Sequence, residues 1–333
     1  MPRITERNVR IHADEMRNSS LMLAEHDIRL SSMLEGICSD DFLSGRLLLK
    51  GGTAINKFYL KDTPRFSVDL DFNHLGSKER VIAEKKPMRE AIQRLLNEDG
   101  SYHVTFRHRY EQTTVEAEYK PLFGGSQKIK IEISHVERFP ILPLQRVEFT
   151  APVSDRVVKV DGYKLDELTS TKLRAFYERL SGRDIYDLYF ISKLHSLNLN
   201  HVRKMLIYYL YRSRKIFNPK TFSARINDAI SKNRIEDDVT GYIRNDAKFR
   251  LMQAAAAVSS YFSPLKFLGG REIVFVHLAK ELLGKQAVPK EYRPIIKGIE
   301  YPFRFLFNED KAALSEEAWN IKARDIEFFK KKK

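Results

Sequence analysis

The spacing of apolar residues along the chain changes near residue 160. Before this point, segments with an apolar residue at every second position alternate with segments at helical spacing. The later helically spaced segments are 166–194, 201–217, 247–262, 272–283 and 311–329. Because side chains repeat every two residues in a strand and every 3.6 in a helix, the pattern predicts an α/β part followed by an α-helical part. We place the two predicted domains at 1–160 and 161–333.

The start of the chain predicts a helix and then a strand–turn–helix unit. Residues 1–36 have spaced apolar positions and few helix breakers, which favours a helix. A short apolar run at 46–50 is closed by Gly51 and Gly52, and helical spacing resumes at Thr53. We therefore predict a strand, a glycine turn and a second helix in this order.

A strand with two distinct faces is predicted over 66–72, where apolar and polar residues alternate strictly. A charged helical pattern, interrupted at Pro87, follows over 78–98. The next period-two segments are 102–108, 114–119 and 128–134. We expect these strands, and those that continue to residue 160, to belong to one sheet.

Asp69 and Asp71 are the strongest candidates for chemistry. They are two residues apart on a predicted strand, so their side chains share its polar face. The nearby Gly51-Gly52 turn opens a helix whose first amides can hold phosphate oxygens, with Lys50 beside it. Mg²⁺ prefers hard oxygen ligands, usually one or two carboxylates together with substrate phosphates. The two motifs together predict a metal–triphosphate site, although a lone pair of this kind is more often the solvent face of an edge strand.

Two-metal phosphoryl transfer needs a third carboxylate, and three glutamates are candidates. Glu132 lies on a predicted strand whose apolar residues face the opposite way. Glu116 and Glu118 compete with it from a neighbouring predicted strand. We favour Glu132 because its flanking residues are the more continuously apolar, which is typical of a central strand.

Lys172, Asp184 and Asp187 form a second candidate group. Lys172 lies about two turns into a predicted helix, where its compact ammonium can reach a triphosphate as a point charge. Asp184 and Asp187 are three residues apart and share a helix face. They could position Lys172, Arg179 or an attacking hydroxyl. The alternative is a buried ion-pair network between two helices, and the sequence leaves both open.

Positive charge is concentrated in the C-terminal part of the chain. The formal net charge is +14, and residues 201–333 contain 27 Lys and Arg against 15 Asp and Glu. This excess predicts a polyanionic partner, nucleic acid rather than a membrane. Tyrosines within 208–211 precede Arg212, Arg214 and Lys215, and such a mixture can stack bases and hold phosphates. More often it is half core and half solvated surface.

The remaining composition excludes several other classes of protein. The single cysteine, Cys38, rules out a disulfide framework and a cysteine-based zinc site. The chain shows neither an apolar stretch of the roughly 20 residues that a membrane span needs nor a signal-peptide pattern at its start. We therefore expect a cytoplasmic protein without membrane association.

The ordered motifs resemble those of the AbiEii/AbiGii toxin family of nucleotidyltransferases and the related MenT toxins, within the polymerase-β-like superfamily. The matching blocks are Lys50-Gly-Gly-Thr-Ala54, Arg65-Phe-Ser-Val-Asp-Leu-Asp-Phe72, Thr171-Lys172, Ala175, Arg179 and Arg183-Asp-Ile-Tyr-Asp-Leu188. They cover roughly residues 45–195, and their joint occurrence in this order is more specific than any single block.

The resemblance implies an α+β fold, in which a polymerase-β-like nucleotidyltransferase domain with a mixed sheet precedes an α-helical domain that contributes a lysine and an aspartate to the active site. The catalytic residues would be Asp69, Asp71, Lys172 and Asp184, together with Glu132, which we predict from its strand and not from the resemblance. Asp69, Asp71 and Glu132 would be the metal ligands. The NTP-binding residues would be Lys50, Gly51, Gly52, Thr53, Arg65, Ser67 and Asp187. The RNA-binding residues that we predict from charge are Arg212, Arg214 and Lys215.

The same resemblance implies a Mg²⁺-dependent toxin of a toxin–antitoxin system that acts in abortive phage infection. It would transfer NMP from an NTP to RNA, such as the tRNA 3′ end, and a separate antitoxin protein would be its partner. Nothing in composition or spacing identifies the acceptor. Transfer to a protein or a small molecule, or a nonenzymatic nucleotide- or RNA-binding module, are the alternatives.

Overall fold

The computed structural model describes residues 2–98, 100–232, 234–285, 288–299 and 301–320. The chain forms two compact units. The first contains the residues up to Phe139 together with Leu144–Tyr163 and Val239–Lys248. The second contains Pro140–Pro143, Lys164–Asp238 and the residues from Phe249 onward.

The first unit combines helices with two sheets. Its elements are α1 (Glu6–Glu15), α2 (Leu21–Ser39), β1 (Leu47–Lys50), α3 (Gly51–Tyr59), β2 (Asp69–His74), α4 (Lys78–Asn97), β3 (His103–His108), β4 (Gln112–Tyr119), β5 (Gln127–Ser134), β6 (Gln145–Thr150) and β7 (Val157–Gly162). The larger sheet has the order β1-β2-β5-β4-β3. Only the β2–β5 pair among these is parallel, so the sheet is mixed, as expected for the α+β class.

The core of the larger sheet lies on one face of β2 and β5, its second and third strands. Leu70 and Phe72 of β2 and three isoleucines of β5, Ile129, Ile131 and Ile133, are buried on the same face. The opposite face carries the charged residues of these strands. This separation of faces is what strict alternation predicts, because successive side chains of a strand point to opposite sides.

Two sequence predictions about the sheet are wrong. The strands β6 and β7 pair only with each other and form a separate two-stranded sheet. The strand predicted over 66–72 begins at Asp69, because the backbone N–H of Phe66 donates to the Tyr242 carbonyl and that of Ser67 donates to the Asp27 carboxylate. These amides are therefore engaged outside the sheet.

Two predicted helices of the first unit also differ. The predicted helix 1–36 is broken into α1 and α2, and Arg17 between them adopts a φ of +48°. By contrast, α4 passes through Pro87 without interruption. Pro87 lies on the exposed side of α4, and buried residues on both sides of it, Val81 and Met88 among them, hold the two halves in line. Packing here offsets the lost hydrogen bond of proline.

The second unit is helical over the residues that the structure describes. Its helices are α5 (Leu165–Arg179), α6 (Gly182–Leu194), α7 (Leu199–Arg212), α8 (Pro219–Ser231), α9 (Leu251–Tyr261), α10 (Gly270–Leu282), α11 (Arg293–Lys297), α12 (Pro302–Leu306) and α13 (Glu316–Trp319). The predicted helix 166–194 is two helices, because Leu180 takes the left-handed conformation with a φ of 55°. The predicted helix 311–329 lies partly outside the described residues. No helix in the described ranges is long and apolar enough to cross a membrane.

Candidate functional site

Asp69 and Asp71 lie side by side on the polar face of β2, and both are partly exposed. The parallel register with β5 places Lys130 opposite Asp69 and Glu132 opposite Asp71. Because paired strands are about 4.8 Å apart, the four side chains share one small area of the sheet. We call Asp69, Asp71 and Glu132 the carboxylate cluster.

Lys130 provides a positive charge next to the carboxylate cluster. Its ammonium forms an ion pair with Glu132, and the two side chains are 48% and 31% exposed. The hydrogen bond to Glu132 and the charges of Asp69 and Asp71 raise the pKa of Lys130, although burial opposes them. Lys130 therefore counters part of the negative charge on this face.

The competing glutamates of β4 lie farther from the aspartates. The register puts Glu116 opposite Lys130 and Glu118 opposite Lys128, one strand beyond β5. Glu116 forms ion pairs with Lys128 at 3.2 Å and with Arg107 at 3.5 Å. Of the three candidate glutamates, Glu132 is the one whose strand is hydrogen-bonded to β2.

The donor chemistry of the carboxylate cluster fits a hard divalent cation, since its three side chains offer only oxygen atoms. Within the described part of the chain, however, no three side chains of His, Cys, Asp or Glu form a group that could hold a metal ion as they stand. In this arrangement Glu132 pairs with the Lys130 ammonium.

Gly51 allows the start of α3 to approach Asp71. Its φ of +73° is strained for any residue with a side chain, and a Cβ built on it would lie 2.7 Å from Oδ2 of Asp71. Lys50, directly before it, pairs with Asp71 in the β1–β2 register. Glycine is thus required here twice, for its conformation and for space. The first amides of α3 consequently lie beside a carboxylate of the cluster.

Thr53 and Lys50 make internal contacts in this structure. The buried Thr53 hydroxyl donates to the Asp69 carbonyl at 2.7 Å, which ties the first turn of α3 to β2. The Lys50 ammonium donates to Glu137 at 3.0 Å. Thr53 therefore fixes the start of α3 against the strand that carries Asp69, whereas the Lys50 side chain contacts the segment that follows β5.

Arg65 and Ser67, which precede β2, are buried. The Arg65 guanidinium donates to the Phe66 carbonyl at 3.1 Å. The Ser67 backbone N–H donates to Asp27 at 2.9 Å, whereas its buried hydroxyl has no hydrogen-bond partner among the described residues. The structure thus places these two predicted NTP-binding residues in the protein interior beside the start of β2.

Asp27 is a buried residue that the sequence analysis missed. Its carboxylate accepts hydrogen bonds from Lys57 at 2.9 and 3.0 Å and from the Ser67 N–H, and it contacts His12 at 2.9 Å. Burial raises the pKa of Asp27, but the charges and hydrogen bonds of Lys57 and His12 outweigh it and hold the pKa below its ordinary value. Asp27 therefore links α2 and α3 to the segment before Asp69. Glu25 and Arg29 of α2 flank Asp27, so no signal in the sequence singled out this carboxylate.

Lys172, Asp184 and Asp187 form a buried ion-pair network in the second unit. The Lys172 ammonium lies 3.0 Å from Asp184 and 2.9 Å from Asp187, and Arg179 donates twice to Asp184 at 2.7 Å. Burial raises the pKa of Asp184, but Lys172 and Arg179 outweigh it and lower the pKa. The network connects α5 and α6 across the turn at Leu180. It is the arrangement that the sequence left open as an alternative to catalysis.

The aromatic residues near the predicted RNA-binding cations belong to the core. Tyr208, Tyr209 and Tyr211 are buried on α7, and Tyr208 packs against Phe303 with ring centroids 5.0 Å apart. The hypothesis that these tyrosines stack bases is therefore wrong, since a buried ring cannot reach a nucleotide.

The three cations at the end of α7 are closer to solvent than the tyrosines. Arg212 is half-buried, and Arg214 and Lys215 are exposed. Lys215 forms an ion pair with Glu178 at 3.0 Å. The structure therefore separates the predicted RNA-binding group into accessible cations and a buried aromatic layer.

Comparisons with known proteins agree with these motifs. The family model described as nucleotidyl transferase AbiEii toxin, type IV TA system, matches residues 32–258, more than half of the chain. No curated protein sequence matches the chain. Among solved structures, the fold is similar to that of MenT4, a nucleotidyltransferase toxin from Mycobacterium tuberculosis H37Rv, with a TM-score of 0.63 and 19% sequence identity over 89% of this chain and 97% of that chain. The chain therefore belongs to the AbiEii family of nucleotidyltransferase toxins of type IV toxin–antitoxin systems.

Proposed function

We propose that the protein transfers NMP from an NTP to an RNA acceptor in a Mg²⁺-dependent reaction, and that the acceptor is the 3′ end of tRNA. The observation that carries this proposal is the position of Asp69 and Asp71, partly exposed on β2 beside the glycine-led start of α3. Carboxylates and helix amides together suit a triphosphate with its cation. Such a site would act in the cytoplasm, where tRNA is found.

Asp69, Asp71 and Glu132 would hold Mg²⁺, which when bound supplies charge neutralisation to the triphosphate. The amides of Gly51 and Gly52 would face the phosphate oxygens, because the helix start carries unpaired N–H groups. Thr53 keeps that helix start fixed to β2. The acceptor hydroxyl oxygen would then attack the α-phosphorus in line and lose its proton to solvent. The new O–P bond would form as the bond between the α-phosphorus and the oxygen bridging to the β-phosphate breaks, and pyrophosphate would leave.

Asp27 would act as a positioning residue in this reaction. It holds the Ser67 amide and the Lys57 ammonium, and so fixes the segment that leads into Asp69. Arg65 and Ser67 would support the NTP-binding face from beneath it, since both are buried.

Lys172, Asp184 and Asp187 enter the proposal from the family resemblance. Lys172 would contact the triphosphate, and the two aspartates would hold its ammonium in place. The two ion pairs of 2.9 and 3.0 Å support the second part of this assignment. A contribution to stability accompanies any catalytic role of these residues, because removing one partner leaves a buried charge uncompensated.

The choice of RNA as acceptor is supported by the excess of 27 basic over 15 acidic residues within 201–333. The exposed cations Arg214 and Lys215 are part of this excess. Phosphate contacts of this kind dominate the affinity of proteins for nucleic acids.

The test is incubation with each α-labelled NTP, Mg²⁺ and either total RNA or total protein. We expect label in RNA of tRNA size and a label on its 3′-terminal nucleotide after nuclease digestion. Label in the protein fraction alone would contradict an RNA acceptor and favour a protein-modifying enzyme. No label in either fraction would contradict transfer to a macromolecule.

A further inference from the structure

Lys130 occupies an unusual position on the polar face of the larger sheet. It lies opposite Asp69 in the β2–β5 register, and two residues along β5 from Glu132, which lies opposite Asp71. Three carboxylates and one ammonium therefore occupy four adjacent positions on two paired strands. Adjacent carboxylates repel each other, so the ammonium reduces an electrostatic cost that the unliganded face would otherwise bear.

The other cation next to this group is already held elsewhere. Lys50, opposite Asp71 on β1, donates to Glu137 at 3.0 Å and is 19% exposed. Lys130 instead is 48% exposed, and its ammonium contacts Glu132 directly. Its long flexible stem allows it to turn over the exposed face. Of the two, Lys130 is the cation that can change partner.

We propose that Lys130 is a positioning residue whose ammonium pairs with the Glu132 carboxylate in the metal-free protein. When a metal ion binds Glu132, the Lys130 ammonium is released and contacts a phosphate group of the NTP. This inference rests on the proposed function, because it takes the carboxylate cluster as the metal site. A compact ammonium is well suited to both partners, since it pairs with carboxylate and phosphate oxygens as a point charge.

The proposal predicts two effects of opposite sign when the ammonium is removed. The metal ion no longer competes with Lys130 for Glu132, so the nucleotide-free protein binds the metal more tightly. The triphosphate has one cationic partner fewer, so it binds more weakly in the presence of metal. A lysine with a purely structural role would change neither affinity, and one that acts only through its general charge would give the same gain in metal affinity whether or not residue 132 is ionised.

The first measurement is Mn²⁺ binding to the full-length, nucleotide-free protein by electron paramagnetic resonance. We expect Lys130→Met to bind Mn²⁺ about fivefold more tightly than the unmodified protein, as for the loss of a partly exposed ion pair. Lys128→Met is the matched control, because Lys128 lies on the same face of β5, is 54% exposed and pairs with Glu116 instead. It should leave the Mn²⁺ affinity unchanged.

The second measurement uses inorganic tripolyphosphate as the probe, in saturating Mg²⁺, by calorimetry. We expect Lys130→Met to weaken tripolyphosphate binding by roughly five- to tenfold, the size expected for one solvent-screened hydrogen bond. Lys130→Arg keeps a cation and should recover most of this affinity. Thermal unfolding of each variant shows whether it is folded, and at an exposed site we expect little change.

Glu132→Gln tests whether Lys130 acts through Glu132. If it does, adding Lys130→Met to Glu132→Gln gives a smaller gain in Mn²⁺ affinity than Lys130→Met gives alone, because only the longer-range repulsion at Asp69 and Asp71 remains, so the two changes are not additive. Equal Mn²⁺ affinity in Lys130→Met and the unmodified protein, or an additive gain in the double variant, would overturn the proposal. Asp69→Asn separates this failure from that of the metal site itself, because unchanged Mn²⁺ affinity in Asp69→Asn would instead contradict the proposed function.

Discussion

The carboxylate cluster of the first unit and the Lys172 network of the second use the same kinds of side chain in opposite ways. In the network, Lys172, Asp184 and Asp187 are almost fully buried, and the carboxylates share one ammonium at 2.9 to 3.0 Å. On the sheet, Asp69 and Asp71 remain partly exposed beside Lys130. In a buried, charge-matched network each partner is costly to remove, whereas exposure with surplus negative charge leaves ligands for a cation.

The largest effect that we expect comes from Asp69→Ala. Loss of a proposed metal ligand should reduce label transfer roughly a thousandfold or more, because charge stabilisation of the transferring phosphate is lost. The midpoint of thermal unfolding should change little, since Asp69 is partly exposed. The measurement pairs a transfer assay with thermal unfolding. Retained transfer would remove Asp69 from the site, and a collapsed unfolding midpoint would make it a structural residue.

In the Lys172 network, by contrast, we expect substitution to reduce stability more than it reduces transfer. Lys172→Ala leaves two buried carboxylates with less positive charge, and we expect the free energy of unfolding to fall by about 3 to 5 kcal/mol. Denaturant unfolding measures this value. At a temperature where the variant is folded, the proposed phosphate contact also predicts a higher KM for NTP. A normal KM after cooling would restrict Lys172 to a structural role.

The pH dependence of stability tests whether Asp184 in the Lys172 network is ionised in the folded protein. The pKa of Asp184 is lower in the folded protein than its ordinary value, so its contribution to stability is present above the unfolded pKa of about 4 and is lost as the pH falls through the folded pKa. Asp184→Asn should therefore flatten the decline of the free energy of unfolding below about pH 4. Urea unfolding of both proteins at several pH values measures it. An unchanged slope would contradict an ionised Asp184 in the folded state.

The smallest effect should come from the three cations at the end of α7. Changing Arg212, Arg214 and Lys215 together to Ala should weaken RNA binding and reduce the slope of log affinity against log salt. The reduction should be about 0.7 for each single-strand phosphate that the variant no longer neutralises. Filter binding at several NaCl concentrations measures both, and Lys290→Ala offers an exposed control in the same unit. An intact slope in the triple variant would place the RNA path elsewhere, and a flat salt dependence of the unmodified protein would contradict RNA as the acceptor.

Local patterns predicted the strand–turn–helix–strand segment around the carboxylate cluster well. The alternation around Asp69 and Asp71 and the glycines that open α3 are local patterns, which the sequence shows directly. The break at Leu180 was not predicted, because no glycine marks the left-handed residue. The separate β6–β7 sheet was missed because alternation indicates a strand but not its partner.

Contacts between distant positions explain what the sequence could not show about the site. The hydrogen bond from Ser67 to Asp27 joins residues 40 positions apart, and it is one reason that β2 begins at Asp69. The sequence showed only that Lys130 and Glu132 share a face of their strand. The register with β2 places both beside the aspartates, and the structure shows their ion pair. The sequence predicts which residues share a face, whereas the fold decides which faces meet.

The most direct test of the central claim measures label transfer and the free energy of unfolding in the same samples of Asp71→Asn and Asp184→Asn. We expect Asp71→Asn to lose transfer while its free energy of unfolding stays within about 0.5 kcal/mol of the unmodified protein, as for a surface substitution. Asp184→Asn should lose several kcal/mol of stability, in the range of a broken buried ion pair. If transfer in both variants simply follows the folded fraction, the carboxylate cluster is not the site of transfer.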